Sequence, residues 1–211
     1  MVARYIYSIV QHVDSTYNIV YLSIEYEFIQ EHILNKSELL LKSNPVNKKI
    51  PILFHDEKPI CESLVILQNI DEPWLNGPSI LSSDPYNRSI ARFWAAYIDD
   101  KEYRNAEGKE AKAVVVDKMS EGNMLLEETF IKISKGKSFF SGDSIGYVDI
   151  VLGSLLGWVI EKMDEMKILY KTKTPSLAEW DEKFCSYNVV KDMIPQPEKL
   201  VEIHHNIISS S

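Results

Sequence analysis

The chain has 211 residues, 45% of them hydrophobic, which is enough for one large domain or two small ones with a real core. A formal net charge of -8 argues against nucleic acid and anionic membranes as main partners, because phosphate binding is carried by clustered Lys and Arg. The N-terminal apolar run is broken by Ser8, Gln11 and His12, so neither a secretory leader nor a membrane span is expected.

Residues 3–10 are β-branched and aromatic and predict a buried strand. Residues 14–22 follow with Ile19 and Leu22 at helical spacing, and Asp14 or Ser15 can cap that helix. The run EYEFIQEHI sets Tyr26, Phe28 and Gln30 against acidic neighbours, the pattern of a half-buried strand. In NKSELLLKSNP, Asn35 or Ser37 can start a short helix that Pro45 must end. IPILFHDEKPICES reads as strand, polar tip DEK and a second strand leading into a helix, ESLVILQNIDE, with Leu64, Leu67 and Ile70 on one face. The order is βαβαββα within about 75 residues, an α/β domain whose first strands are parallel and whose hairpin is antiparallel.

The proline- and serine-rich stretch 76–85 is the expected linker between residues 1–75 and 86–211. No strand is expected beyond it. Ile90, Phe93, Trp94, Tyr97 and Ile98 mark a helix with a wide apolar face, and residues 107–135 hold a second helical tract. The segment DSIGYVDIVLGSLLGWVIEKM predicts a central buried helix, too interrupted by Gly153, Ser154 and Gly157 to span a membrane. SLAEWDEKFCSYNVVKDMI predicts one further amphipathic helix, stopped by Pro195 and Pro197. The second half is an all-α bundle. Cys61 and Cys185 form no CxxC and read as reduced thiols in the cytoplasm.

Two motifs stand out, one for chemistry and one for folding. In NKKIPILFHDEKPICES, Pro51 restricts Ile50 to extended geometry, and a cis bond there would turn the Ile50 backbone toward a ligand. Glu62-Ser63 opens a helix, whose unpaired N–H groups and positive end suit a carboxylate. Ser63 adds a hydroxyl, and Glu62 can accept an amine, so one stretch can hold a zwitterionic, peptide-like molecule at both charged ends. From spacing alone a strand-edge proline and a routinely capped helix are the commoner reading. In GDSIGYVDI, Asp149 lies three residues after Gly146 and can reach back to the helix start, a folding device. His12 reads as a polar loop residue, and His204-His205 have no third ligand at zinc spacing, so no metal is expected.

The strings LNKSELLLKSNPVNKKIPILFHDEKPICESLVILQNIDE and LSSDPYNRSIARFWAAYIDDK, with FFSGDSIGYVDIVLG further on, closely resemble the tau class of plant glutathione transferases. The match is dense over residues 34–101. The resemblance implies a thioredoxin-like N-terminal domain, an all-helical C-terminal domain, a homodimer, glutathione held by the first domain and an apolar electrophile beside it. Carried over residue by residue, it implies a glutathione pocket of Lys36, Lys49, the Ile50 backbone, Glu62 and Ser63. Two Lys and a helix start would meet carboxylates, one carboxylate would meet the amine, and one peptide would pair with the tripeptide backbone.

The resemblance further implies a serine at the end of the first strand, donating to the glutathione sulfur, because the neutral thiol is a poor nucleophile. That serine belongs to a Trp-x-Ser-Pro-Phe string with a basic helix start. Here Ile9, Val10 and Gln11 stand at its serine, proline and aromatic positions, and Val13-Asp14 at the basic start. Ser8, one residue earlier, is the catalytic candidate, although a one-residue slip on a strand changes its face. Ser15 is about a helical turn further on, and Asp14 would oppose a thiolate. For the apolar co-substrate the resemblance points to Tyr103 and Trp158, whose aromatic faces suit flat ligands, although plain core aromatics would look the same. The segment RNAEGKEAK after Tyr103 is shorter than the family pattern. Three readings follow: a transferase joining glutathione to electrophiles, a ligandin-like binding protein, or a repurposed isomerase or lyase.

Overall fold

The computed structural model describes residues 3–7, 26–31, 35–72, 79–99, 109–162 and 171–191. It divides after Ser79 into an α/β unit and, over Ile80–Lys191, a helical unit.

The α/β unit is built on four strands: β1 (Ala3–Tyr7), β2 (Tyr26–Gln30), β3 (Ile52–His55) and β4 (Lys58–Cys61). Their order is β2-β1-β3-β4. β1 runs parallel to β2, with Tyr5 opposite Phe28, and antiparallel to β3, with Tyr5 opposite Leu53. A parallel pair needs a crossover. The helix expected for it, over 14–22, lies outside the described residues.

Two helices join the sheet, α1 (Glu38–Ser43) and α2 (Ser63–Asp71). Ser37, not Asn35, is the N-cap of α1: its Oγ accepts from the Leu40 N–H at 3.1 Å. The β3–β4 hairpin turns on Asp56 and Glu57, both with positive φ (49° and 61°), as a two-residue loop matching strand twist requires. The tip is thus two residues, and Lys58 belongs to β4, opposite His55. Pro59 is accommodated because β4 is an edge strand.

Ile52, Leu53 and Phe54 are all buried, so β3 is covered on both faces. Ile52 and Phe54 cluster with Leu40, and Ile29, Ile50 and Cys61 pack against that cluster. Alternation turns Leu53 to the other face. In α2 the buried residues are Ile66, Leu67 and Ile70, with Leu64 only half-buried. On β2 Gln30 is exposed at the strand end, and Ile29, on the opposite face, packs against the Leu40 cluster.

The helical unit holds α3 (Pro85–Asp99), α4 (Lys109–Ser134), α5 (Tyr147–Lys162), α6 (Pro175–Ser186) and α7 (Asn188–Lys191). α3 packs on α5, and α4 on α6. Pro85, expected in the linker, is the first residue of α3, where its missing N–H costs nothing. Only Ala95 and Ile98 of α3 are buried, and Phe93 is 60% exposed. Five apolar positions make a stripe wider than this packing face covers. The single helix expected after residue 175 is two, divided at Tyr187, whose ψ of 131° is extended.

Around Trp180 the core is aromatic. Trp180 stacks on Phe184 at 5.2 Å and meets Phe140 edge-on at 6.1 Å, and Phe140 meets Phe130 at 5.0 Å. Gly153 lets α5 approach α6: a Cβ there would overlap the Phe184 ring. Asp149, completely buried, accepts from the Gly146 N–H at 2.9 Å as the sequence spacing suggests. It also accepts from the Phe140 N–H at 2.9 Å and from Trp180 Nε1 at 2.7 Å. Among the described residues no helix is long and apolar enough to cross a membrane.

Candidate functional site

The loop between α1 and β3 is shaped by one buried side chain. Asn44, 4% exposed, donates from Nδ2 to the Lys49 carbonyl at 3.0 Å and accepts at Oδ1 from the Asn47 N–H at 3.1 Å. Its own carbonyl accepts from the Lys48 N–H at 2.9 Å. With all its polar groups used, Asn44 fixes a tight bend, and Lys48 takes a positive φ of 51° inside it. The bend delivers Lys49, whose side chain is exposed, and Ile50, which is half-buried against the core cluster. The Ile50-Pro51 bond is cis. Neither the N–H nor the C=O of Ile50 enters a hydrogen bond among the described residues. Among the described residues a backbone pair is therefore open where the sequence motif allows one.

Glu62 and Ser63 stand across from this loop in the same unit. Glu62 has φ 74° and ψ 123°, an uncommon conformation for a residue with a side chain, of the kind that clusters at ligand sites. Its side chain does not cap α2. Instead Glu62 Oε1 accepts from Asn47 Nδ2 at 2.6 Å, while Oε2 has no partner among the described residues. At the start of α2 the Ser63 N–H and hydroxyl also have no partner among them. An uncapped helix start with an available hydroxyl has the chemistry that suits an anion, and the adjoining carboxylate that suits a cation. The ordinary capped helix that the spacing also allowed is not what forms.

Lys36 is exposed and enters no ion pair among the described residues. Its neighbour Ser37 is anchored to Glu31, which is only 6% exposed: the Ser37 N–H and Oγ–H donate to the two carboxylate oxygens at 3.0 and 2.6 Å. This clamp between the end of β2 and the start of α1 sets where the Lys36 backbone lies.

Five expected residues, Lys36, Lys49, Ile50, Glu62 and Ser63, thus belong to one unit and offer the expected groups. Ser8, the altered activating loop, His12, Tyr103 and His204-His205 lie outside the described residues. Trp158 falls within α5, but its side chain lies outside the description. Sequence reasoning missed Asn44, Asn47 and Glu31. The string NPVNKK holds the two Asn three apart, a turn signal that could have been taken as a loop-organising pair.

Cys61 lies next to Glu62, yet its chemistry is muted. It is half-buried and donates from Sγ to the Ser43 carbonyl at 3.4 Å. Burial, then the Glu62 charge, push its thiol pKa up. Cys185 is pushed up to about 12 by burial and by Asp181, whose carboxylate it meets at 3.4 Å. Both thiols are free of disulfides, and neither is disposed to be a nucleophile. Among the described residues no group of three His, Cys, Asp or Glu is placed to hold a metal.

Fold and sequence together define a thioredoxin-like domain continued by a helical domain. Residues 6–72 match the glutathione S-transferase N-terminal domain family. Among curated relatives, glutathione S-transferase U17 of Arabidopsis thaliana is 52% identical over 194 residues, covering 88% of this chain and 86% of its own. Glutathione S-transferase U18 of the same plant is 53% identical over 85% of this chain and 83% of its own. Among solved structures, the tau class glutathione S-transferase from mango, Mangifera indica, has a TM-score of 0.87 at 45% identity, covering 96% and 97% of the two chains. Rice GST1 in complex with glutathione has a TM-score of 0.82 at 29% identity, covering 99% and 98%. The chain belongs to the glutathione S-transferases, in their tau class.

Proposed function

We propose that the chain binds glutathione at Lys36, Lys49, Ile50, Glu62 and Ser63 and transfers it to apolar electrophiles. The observation that carries this reading is the start of α2, where, among the described residues, the Ser63 N–H and hydroxyl stand open beside a carboxylate with one oxygen to spare. The Ile50 backbone would pair with the cysteinyl peptide, and Lys36 and Lys49 would meet carboxylates. Ser8 is the proposed donor to the sulfur, and Tyr103 and Trp158 the proposed contacts of the apolar co-substrate. The rice relative, solved with glutathione, supports the first half of this reading.

A homodimer is part of the proposal. It is supported by apolar side chains left in water on α3, Tyr86 at 71% and Phe93 at 60% exposure. Cytoplasmic residence is proposed with it, in keeping with two unpaired cysteines. A non-catalytic ligandin-like role has its own support in the sequence, since Ile9, Val10 and Gln11 replace the serine-proline-aromatic string.

The deciding experiment couples calorimetric titration with glutathione to a conjugation assay on an activated chloroarene. Turnover that Ser8→Ala abolishes supports the transferase reading. Glutathione binding without turnover overturns it in favour of the binding protein.

A further inference from the structure

We infer that Asn47 is a positioning residue of this site: it holds the Glu62 carboxylate in the orientation that receives the ammonium group of the ligand. The inference rests on the glutathione reading above and names what sets its amine selectivity.

The geometry is a relay. The Asn47 N–H is held by Asn44 Oδ1 at 3.1 Å, and Asn47 Nδ2 reaches Glu62 Oε1 at 2.6 Å, fifteen residues away in sequence. The other end of the same Asn44 side chain holds the Lys49 carbonyl at 3.0 Å, one residue before Ile50. One buried amide therefore sets both the loop that offers Lys49 and Ile50 and, through Asn47, the carboxylate on the opposite strand end. The Ile52–Cys61 pairing of β3 and β4 brings the two halves of the cradle together, and the Asn44–Asn47–Glu62 side chains tie them beyond the strand ends.

The chemistry of the donor matters. Glu62 is exposed and long, and without a partner its carboxylate would sample several rotamers. A lysine or arginine as partner would neutralise it and compete with an incoming ammonium. An amide donates one N–H with no charge, so one oxygen is fixed while the carboxylate keeps its attraction for a cation. Lys48 and Lys49 follow Asn47 directly, yet Glu62 enters no ion pair among the described residues. The neutral residue holds the carboxylate, and the cationic ones do not.

The test compares glutathione with glutaryl-cysteinyl-glycine, the same molecule without its amine, by calorimetric titration of the full chain. Wild type should prefer glutathione by about tenfold or more, the scale of a charge-assisted hydrogen bond. Asn47→Leu, similar in size but without a donor, and Asn47→Ala should weaken glutathione binding about fivefold and leave the analogue within about twofold. Asn47→Gln, which keeps the amide, should recover part of the preference. Asn47 is exposed, so the thermal midpoints should stay together. An unchanged preference in both the Leu and Ala variants overturns the inference while the glutathione site stands. Equal losses on both ligands also overturn it, because they would mark a general loop scaffold. Wild type binding neither ligand overturns the site and the inference together.

Discussion

Replacing Asp149 with alanine removes an acceptor that serves three buried N–H groups, those of Phe140, Gly146 and Trp180. A buried donor left without a partner costs about 1–3 kcal/mol, so the gross loss is about 3–9 kcal/mol. Part of this is offset. Burial raises the Asp149 pKa from 3.8 to about 6 even with its donors in place. The buried charge therefore costs about 3 kcal/mol at neutral pH relative to the protonated form. The net loss is about 0–6 kcal/mol, and its middle value of about 3 kcal/mol is about 10 °C in thermal midpoint for a chain of this size. Urea unfolding of wild type, Asp149→Ala and Asp149→Asn measures it. The pH dependence is the sharper readout. A carboxyl with a raised folded pKa holds more protons folded than unfolded between about pH 4 and 6. Its contribution to stability is full below pH 4 and is lost as pH rises through 6. Wild type should therefore lose stability relative to Asp149→Asn across that window. A stability difference that moves in wild type's favour as pH rises from 4 to 6 would refute the reasoning, since it would mean the donors outweigh burial.

Three further outcomes follow from the packing and the thiols. Gly153→Ala should destabilise by about 1–3 kcal/mol in urea unfolding, because the added methyl overlaps the Phe184 ring in a filled core. Glu127→Gln should cost about 1–2 kcal/mol by the same measurement: both carboxylate oxygens cap the start of α6, at 2.9 Å from the Ser176 N–H and 2.7 Å from the Leu177 N–H. Cys185, pushed up to about 12, should react with iodoacetamide at pH 7.5 only after denaturation, read by mass spectrometry.

Local signals were legible in the sequence. The hairpin, the Ser37 cap, the Gly146–Asp149 helix start and the Ile50-Pro51 bend depend on residues a few positions apart, where spacing fixes geometry. The five residues proposed for the glutathione pocket were read from the same short spacings, together with the family resemblance. What stayed hidden joins distant residues or depends on which face is covered. Glu127 meets the start of α6 across 49 residues, and Asn47 meets Glu62 across 15. No periodicity encodes such pairs. Hydrophobic spacing identified α3 but could not say that Phe93 stays in water while Ala95 is buried. The break at Tyr187 was hidden because the residues around it, from Phe184 to Val190, keep an apolar spacing through the turn.

The central claim is that glutathione binds where an uncapped helix start, a half-held carboxylate and an open backbone pair come together. Titration of wild type and of the double variant Glu62→Gln/Ser63→Ala with glutathione tests it directly. Both side chains reach solvent, so the variant should fold as wild type does. The account predicts saturable binding to wild type and a loss of about tenfold or more in the variant. Equal affinity in the two proteins, or no binding to wild type, would contradict it.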